Sequence, residues 1–247
     1  MEPPLTRSER EALKAIYRLT HRAAGDGGDD GAHAGAHTGA LAESLSLSPG
    51  TVTATVKRLA DRGFADHKPY RGVELTATGQ RAAVSCIRRH RIVERFLSDM
   101  LGYAWNEADR LAGSIEHDLP KEVEDRLFVA LHRPTTCPHG FPIPEPEMAE
   151  IPEMPPLYTL EPGDAAVVAV PGSIDDEIVA FLDTLGLRPG VRVDVLDKHP
   201  FDGPLVLRVD GIERTVSERL AEQIYVRKLD PNADLASRDA ARREQSA

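Results

Sequence analysis

Apolar residues recur along this chain with two different periods. From Ser8, a candidate cap, to about Arg22, the positions Leu13, Ile16, Tyr17 and Leu19 make the stripe of an amphipathic helix. The pattern then lapses. "AAGDGGDDGAHAGAHTGA" (23–40) has no repeating apolar position and reads as a flexible insertion over 23–39, where His33 and His37 are expected to be solvated. A short helix at about 40–45 and a tight turn follow. Ser48 caps a second helix with Pro49 at its first position, Val52, Val56 and Leu59 at core spacing, and Gly63 at its end. "FADHKPYRGVEL" then alternates as strand (64–67), turn (69–72) and strand (73–75).

The helical period returns from about Gly79 to Leu101, with Gly102 as its stop. "WNEADRLAGSIEHDL" predicts another helix, capped by Asn106, and "LPKEVEDRLFVAL" a third with Pro120 in its first turn. Residues 132–156 are too rich in proline for a regular element. From Leu157 the runs "AAVVAV", "VRVDVL", "PLVLRV" and "AEQIYVRKL" are short and β-like, interrupted by one helix, "DDEIVAFLDTLGL", which suggests a small β-barrel. The pattern predicts an α+β chain: a winged helix-turn-helix over 1–78, a helical domain over 79–145, a linker over 146–156, a barrel over 157–229 and a disordered polar tail over 230–247.

Composition narrows the functional classes. The 247 residues carry a net charge of −10, against a coat of nucleic acid over the whole surface. The charge is uneven: from Ala40 to Arg95 there are ten Lys/Arg and five Asp/Glu, a local +5. Beside a winged helix that balance points to DNA, with the helix from Pro49 in the major groove. Ser48, Gly50, Thr51, Thr53, Ala54 and Thr55 face bases, and Lys57 and Arg58, with Lys68 and Arg71 in the wing, face phosphates. Two cysteines, Cys86 and Cys137, make no disulfide framework. With no signal-peptide pattern and no long apolar run, the expectation is a cytoplasmic protein with no membrane partner.

The candidate chemistry lies in the helical region. His90 and Glu94, four apart, share a helix face. Counted at about 100° per residue, Asp109, Glu116 and His117 fall on one stripe of the next helix. Imidazole with carboxylates suits Mn²⁺, Fe²⁺, Co²⁺ or Zn²⁺. Each residue has a plainer explanation. Asp109 lies three residues after the Asn106 cap, Glu94 can pair with Arg91 or Arg95, and Glu116 and His117 can be a solvated helix end. "SERE", Ser8 to Glu11, reads as a capping box.

"HRIVERFL", "SIEHDL" followed by "EVEDRL", and "RPTTCPHGFPIP", in that order, resemble the diphtheria-toxin-repressor family of metal-dependent transcriptional regulators. The resemblance runs from about Arg7 to Leu229 and implies a winged helix, a helical dimerisation domain and a C-terminal SH3-like barrel. It implies two metal positions: an ancillary one with His90, Glu94 and Asp109, and a primary one with Glu11, Glu116 and His117. Gly113 departs from the Cys or Glu of many members, and Cys137 is similar to a cysteine that some manganese-type members use as a ligand. His139 is expected to be structural, and Asp175 or Asp176 stands near the barrel ligands of iron-type members. The function implied is a homodimeric, metal-activated repressor of manganese or iron uptake genes on a palindromic operator, with Mn²⁺ favoured over Fe²⁺. The rivals are a metal-independent winged-helix regulator and a metal-dependent hydrolase.

Overall fold

The computed structural model describes residues 4–22, 35–68, 72–172 and 174–230. They divide into two compact units. The first comprises the described parts of Met1–Tyr103 with Arg110–Thr135 and Pro142–Glu153; the second comprises Ala104–Asp109, Thr136–Phe141 and the described residues from Met154 on.

In the first unit, α1 (Arg7–Arg22) buries Ala12, Leu13 and Ile16 with Ala83, Val84 and Ile87 of the long α4 (Ala77–Leu101). Its start differs from the predicted one. The capping box is formed by Thr6 and Glu9: the Thr6 amide donates to Glu9 Oε2 at 2.8 Å, and the Glu9 amide to Thr6 Oγ1 at 3.3 Å. Ser8 and Glu11 therefore lie inside the helix, and Glu11 is released from the capping role. α2 (Thr38–Leu45) and α3 (Pro49–Asp61) form the helix-turn-helix. Ser48 caps α3 by accepting the Thr51 amide, and Val52, Val56 and Leu59 enter the same core as α1.

The wing is the antiparallel pair β1 (Ala65–Lys68) and β2 (Gly72–Leu75). The insertion is shorter at its C-terminal end than the composition implied. Ala36 is buried and exchanges backbone hydrogen bonds with Val73, and α2 begins at Thr38. His33 lies outside the described residues. Close approach also explains a glycine: a Cβ on Gly72 would stand 2.7 Å from the Gly35 carbonyl oxygen, and its φ of 86° suits no other residue well. Thr76 caps α4, and Gly102 ends it in the left-handed region.

α5 spans Trp105–Ile115, so Asn106 is inside the helix and is not its cap. The helix also stops sooner than its apolar spacing implied. Glu116–Asp118 form a 3₁₀ turn, followed by α6 (Lys121–Ala130).

The second unit is an antiparallel sheet of five strands, β3 (Ala165–Ala169), β4 (Arg192–Lys198), β5 (Leu205–Val209), β6 (Ile212–Val216) and β7 (Tyr225–Lys228), in the order β6-β5-β4-β3-β7. α7 (Asp176–Leu185) and the short α8 (Glu218–Ala221) cover it, and Leu182, Leu187, Val193, Leu205, Leu207 and Ile224 fill the core. β6 was not anticipated: its sequence, IERTV, buries only Val216 fully and sits at the edge. Among the described residues no helix is long and apolar enough to cross a membrane.

Candidate metal centre and DNA-facing helix

Within the first unit, three chain segments converge on one cluster of charged groups. α1 brings Glu11 and Lys14, α4 brings His90 and Glu94, and the 3₁₀ turn brings Glu116 and His117. His117 Nε2 lies 2.8 Å from Glu11 Oε1 and 3.7 Å from Glu116 Oε1. Neither ring nitrogen of His117 has a hydrogen-bond partner, although the side chain is buried. The Nε2 lone pair and two carboxylate oxygens thus face one another without donor geometry between them. All three ligand atoms lie within 4.8 Å of one another, close enough for one ion.

The protonation states suit a cation. Burial works to raise the Glu116 pKa, but hydrogen bonding and charge from His90 and Lys14 outweigh it and hold the carboxyl down at about 2. Burial lowers the His117 pKa against the pull of Glu116 and Glu11, favouring the neutral imidazole. An anionic carboxylate and a neutral imidazole are the forms that ligate metal. Because the unfolded Glu116 titrates near 4.5 and the folded one near 2, its contribution to stability is present above pH 4.5 and is lost as pH falls toward 2. Acid titration of melting temperature in metal-free protein will show this slope, and Glu116→Gln will lack that part of it.

His90 joins the two positions that the sequence kept apart. Its Nε2 is 3.1 Å from Glu94 Oε1, and its Nδ1 is 2.6 Å from Glu116 Oε2. Arg95 turns to Asp99 at 3.1 Å, and Arg91 donates to the Pro142 carbonyl, so the helix face beside Glu94 is not a simple solvated arginine ladder. The single stripe of Asp109, Glu116 and His117 does not exist. The switch to a 3₁₀ turn at Glu116 breaks the 100° count, and Asp109 clusters with the second unit. There a Cβ on Gly172 would approach Asp109 Cβ at 2.7 Å and His139 Nε2 at 2.8 Å, so only glycine fits between them. Cys137 is buried in the same unit with its Sγ 3.9 Å from His139 Nδ1, and His139 also stacks edge-on against Trp105 at 5.4 Å.

Gly113 has open space beside it, and its carbonyl accepts from Arg7 at 3.3 Å. Asp175 caps α7, accepting the Glu177 amide at 2.8 Å, and Asp176 is exposed in the first turn of that helix. Capping thus accounts for the one of these acids that has a visible partner. The residue that the sequence gave no prominence is Lys14. It is one turn beyond Glu11 on the same helix face, a spacing that was readable in advance.

On α3, Ser48, Gly50, Thr51, Thr53, Ala54, Lys57 and Arg58 form one exposed face. Thr55 does not belong to it: the residue is buried, and its hydroxyl donates back to the Thr51 carbonyl at 3.0 Å. The local positive charge is also partly internal. Arg62 pairs with Glu9 at 2.9 Å, Arg89 with Glu124 at 2.9 Å, and buried Arg88 lies 4.3 Å over the Phe128 ring. Lys57 and Arg58 stay on the surface. Lys68 ends β1, and Arg71 lies outside the described residues.

The comparisons with known proteins match this layout. The family described as iron dependent repressor, N-terminal DNA binding domain, matches residues 4–73. The iron dependent repressor, metal binding and dimerisation domain, matches 76–145, and the FeoA domain matches 156–228. The iron-dependent repressor IdeR of Mycobacterium tuberculosis is 33% identical over 205 residues, covering 76% of this chain and 87% of that protein. The diphtheria toxin repressor of Corynebacterium diphtheriae is 29% identical over 199 residues, with the same coverage of 76% and 87%. A solved structure of a manganese-dependent transcriptional repressor complex with manganese superimposes with a TM-score of 0.73 at 29% identity, covering 90% of this chain and all of that one. The chain belongs to the diphtheria-toxin-repressor family of metal-dependent transcriptional repressors.

Proposed function

We propose that this protein is a metal-activated, homodimeric DNA-binding repressor that controls manganese or iron uptake genes. The observation that carries the reading is the meeting of Glu11, on the first helix of the DNA-binding region, with Glu116 and His117 of the dimerisation segment. Glu11, Glu116 and His117 would hold the primary ion. A bound divalent cation supplies a cross-link between two carboxylates and an imidazole, which on their own repel or ignore one another. Glu116 is kept anionic and oriented by His90, and His90 is in turn held by Glu94. His90 and Glu94 are the proposed core of the ancillary position. Asp109 and Cys137 remain in the proposed ligand set on the residue pattern alone.

Fixing α1 against the dimerisation segment sets the angle at which α3 is presented, and a dimer reads two half-sites only when both angles match their spacing. The proposed operator is therefore palindromic. The donor set of two carboxylates and one imidazole is hard, which supports Mn²⁺ over Fe²⁺. The hydrolase alternative has no support from the family, whose members are repressors.

The test is binding to the duplex upstream of the protein's own gene, with Mn²⁺ and again after a chelator. Binding that the chelator reverses supports the reading; binding that ignores it favours a metal-independent regulator. Within the same assay Lys57→Ala is expected to weaken all sequences alike and to lower the log–log salt slope by about 1, as loss of one phosphate contact does. Thr51→Ala is expected to change sequence preference with the salt slope intact.

A further inference from the structure

Lys14 is one of the most deeply buried charged side chains of the first unit, with 3% of its surface exposed. Lysine is rarely buried so completely without a fixed role. Its Nζ bonds Glu116 Oε1 and lies 3.0 Å from Glu11 Oε1. These are the same two oxygens that face His117 Nε2 at 3.7 and 2.8 Å. The ammonium and the imidazole nitrogen therefore converge on one pair of atoms, which are the atoms a metal would use.

We propose that Lys14 is a built-in counter-cation of the primary metal position, occupying the carboxylates in the metal-free protein and setting the metal concentration at which the site fills. The inference rests on the metal-centre reading above. A carboxylate oxygen bonded to an ammonium has less charge and fewer lone pairs to offer, so an incoming cation must displace Lys14 or share Glu116 Oε1 with it. The lysine also does some of the metal's work. It ties α1 to the 3₁₀ turn, assisted by Arg10, which donates to the His117 carbonyl, and by Arg7 on the Gly113 carbonyl. The metal-free protein is thereby fastened rather than splayed by its own carboxylates, and metal has to improve on an existing contact.

The test uses Mn²⁺ alone, without DNA, in competition with a fluorescent chelator on full-length protein. Wild type is compared with Lys14→Met, Lys14→Gln and Lys14→Arg, and His117→Ala reports whether the site itself is correct. The two neutral variants are expected to bind Mn²⁺ about tenfold or more tightly, from removal of a positive charge within 3 Å of a ligand oxygen. They are also expected to melt at lower temperature when metal-free and to be restored by Mn²⁺, while Lys14→Arg shows no tightening. Neutral variants that lose stability with unchanged Mn²⁺ affinity overturn the proposal, since that is the behaviour of a purely structural ion pair. Wild type that binds no Mn²⁺, or His117→Ala that binds like wild type, overturns the metal-centre reading and this inference with it.

Discussion

His117→Ala is expected to abolish the response of DNA binding to metal. His117 supplies the one neutral nitrogen in a set whose other members are carboxylates, and its ring nitrogens have no protein partner to lose. Its backbone carbonyl, which Arg10 engages, survives the substitution, so the α1 contact and the fold are expected to persist. Changing a residue that only orients a ligand typically costs 10–100-fold in metal affinity, so loss of a ligand itself is expected to cost at least about 100-fold. His90→Ala acts one step away, by removing the group that holds Glu116 at 2.6 Å, and is expected to weaken the response without abolishing it. Mn²⁺ titrations of DNA anisotropy, with circular dichroism as the check on folding, measure both. A wild-type response in His117→Ala would remove the centre of the proposal.

Glu11→Gln is expected to need about 10- to 100-fold more metal to reach half-maximal DNA binding. The cap at the start of α1 belongs to Thr6 and Glu9, so this substitution no longer competes with a helix-capping explanation. What Glu11 loses in the metal-free protein is its share of Lys14. That pair is partly solvated, with Glu11 at 35% exposure, and Lys14 retains Glu116, so the stability cost is expected to stay below about 1 kcal/mol. A neutral amide is a much poorer ligand than a carboxylate for a hard cation. The combination of near-normal melting and a displaced metal titration is the signature. Unchanged titration would mean that coupling to the DNA-binding region runs through Lys14 and Arg10 instead.

The elements whose sequences carry strong local signals were legible in advance. Ser48-Pro49 at the start of α3, the Val52, Val56, Leu59 spacing and the Gly102 stop each state a local rule that the tertiary structure obeys. Where two overlapping signals competed, the wrong one was preferred. "TRSERE" contains both Thr6–Glu9 and Ser8–Glu11, and only the packing of α1 decides between them. The α5 stripe failed because helical periodicity assumes that the helix continues, and nothing apolar marks the switch at Glu116. β6 was hidden because an edge strand exposes polar residues on both sides of its pleat, although Asp210-Gly211 before it is a two-residue hairpin signal, with φ of 49° and 80°.

The metal centre was legible only as separate residues. Glu11, His90 and His117 are named easily from their patterns, but the distance between α1 and the 3₁₀ turn is a property of the fold. Lys14 was passed over because a lysine one turn from a glutamate is usually a surface pair; its burial cannot be seen in one dimension. Arg62 and Arg88 show the converse, counted as surface charge when each is committed to an internal contact.

The central claim is that metal and DNA binding are coupled through one site, and coupling is reciprocal. The most direct measurement is the dissociation constant of one upstream duplex at fixed salt, at zero and at saturating Mn²⁺, together with Mn²⁺ affinity with and without that duplex. The account predicts that metal tightens DNA binding by roughly 5- to 150-fold and that DNA tightens metal binding by the same factor. Equal DNA affinities in the two metal states would contradict it.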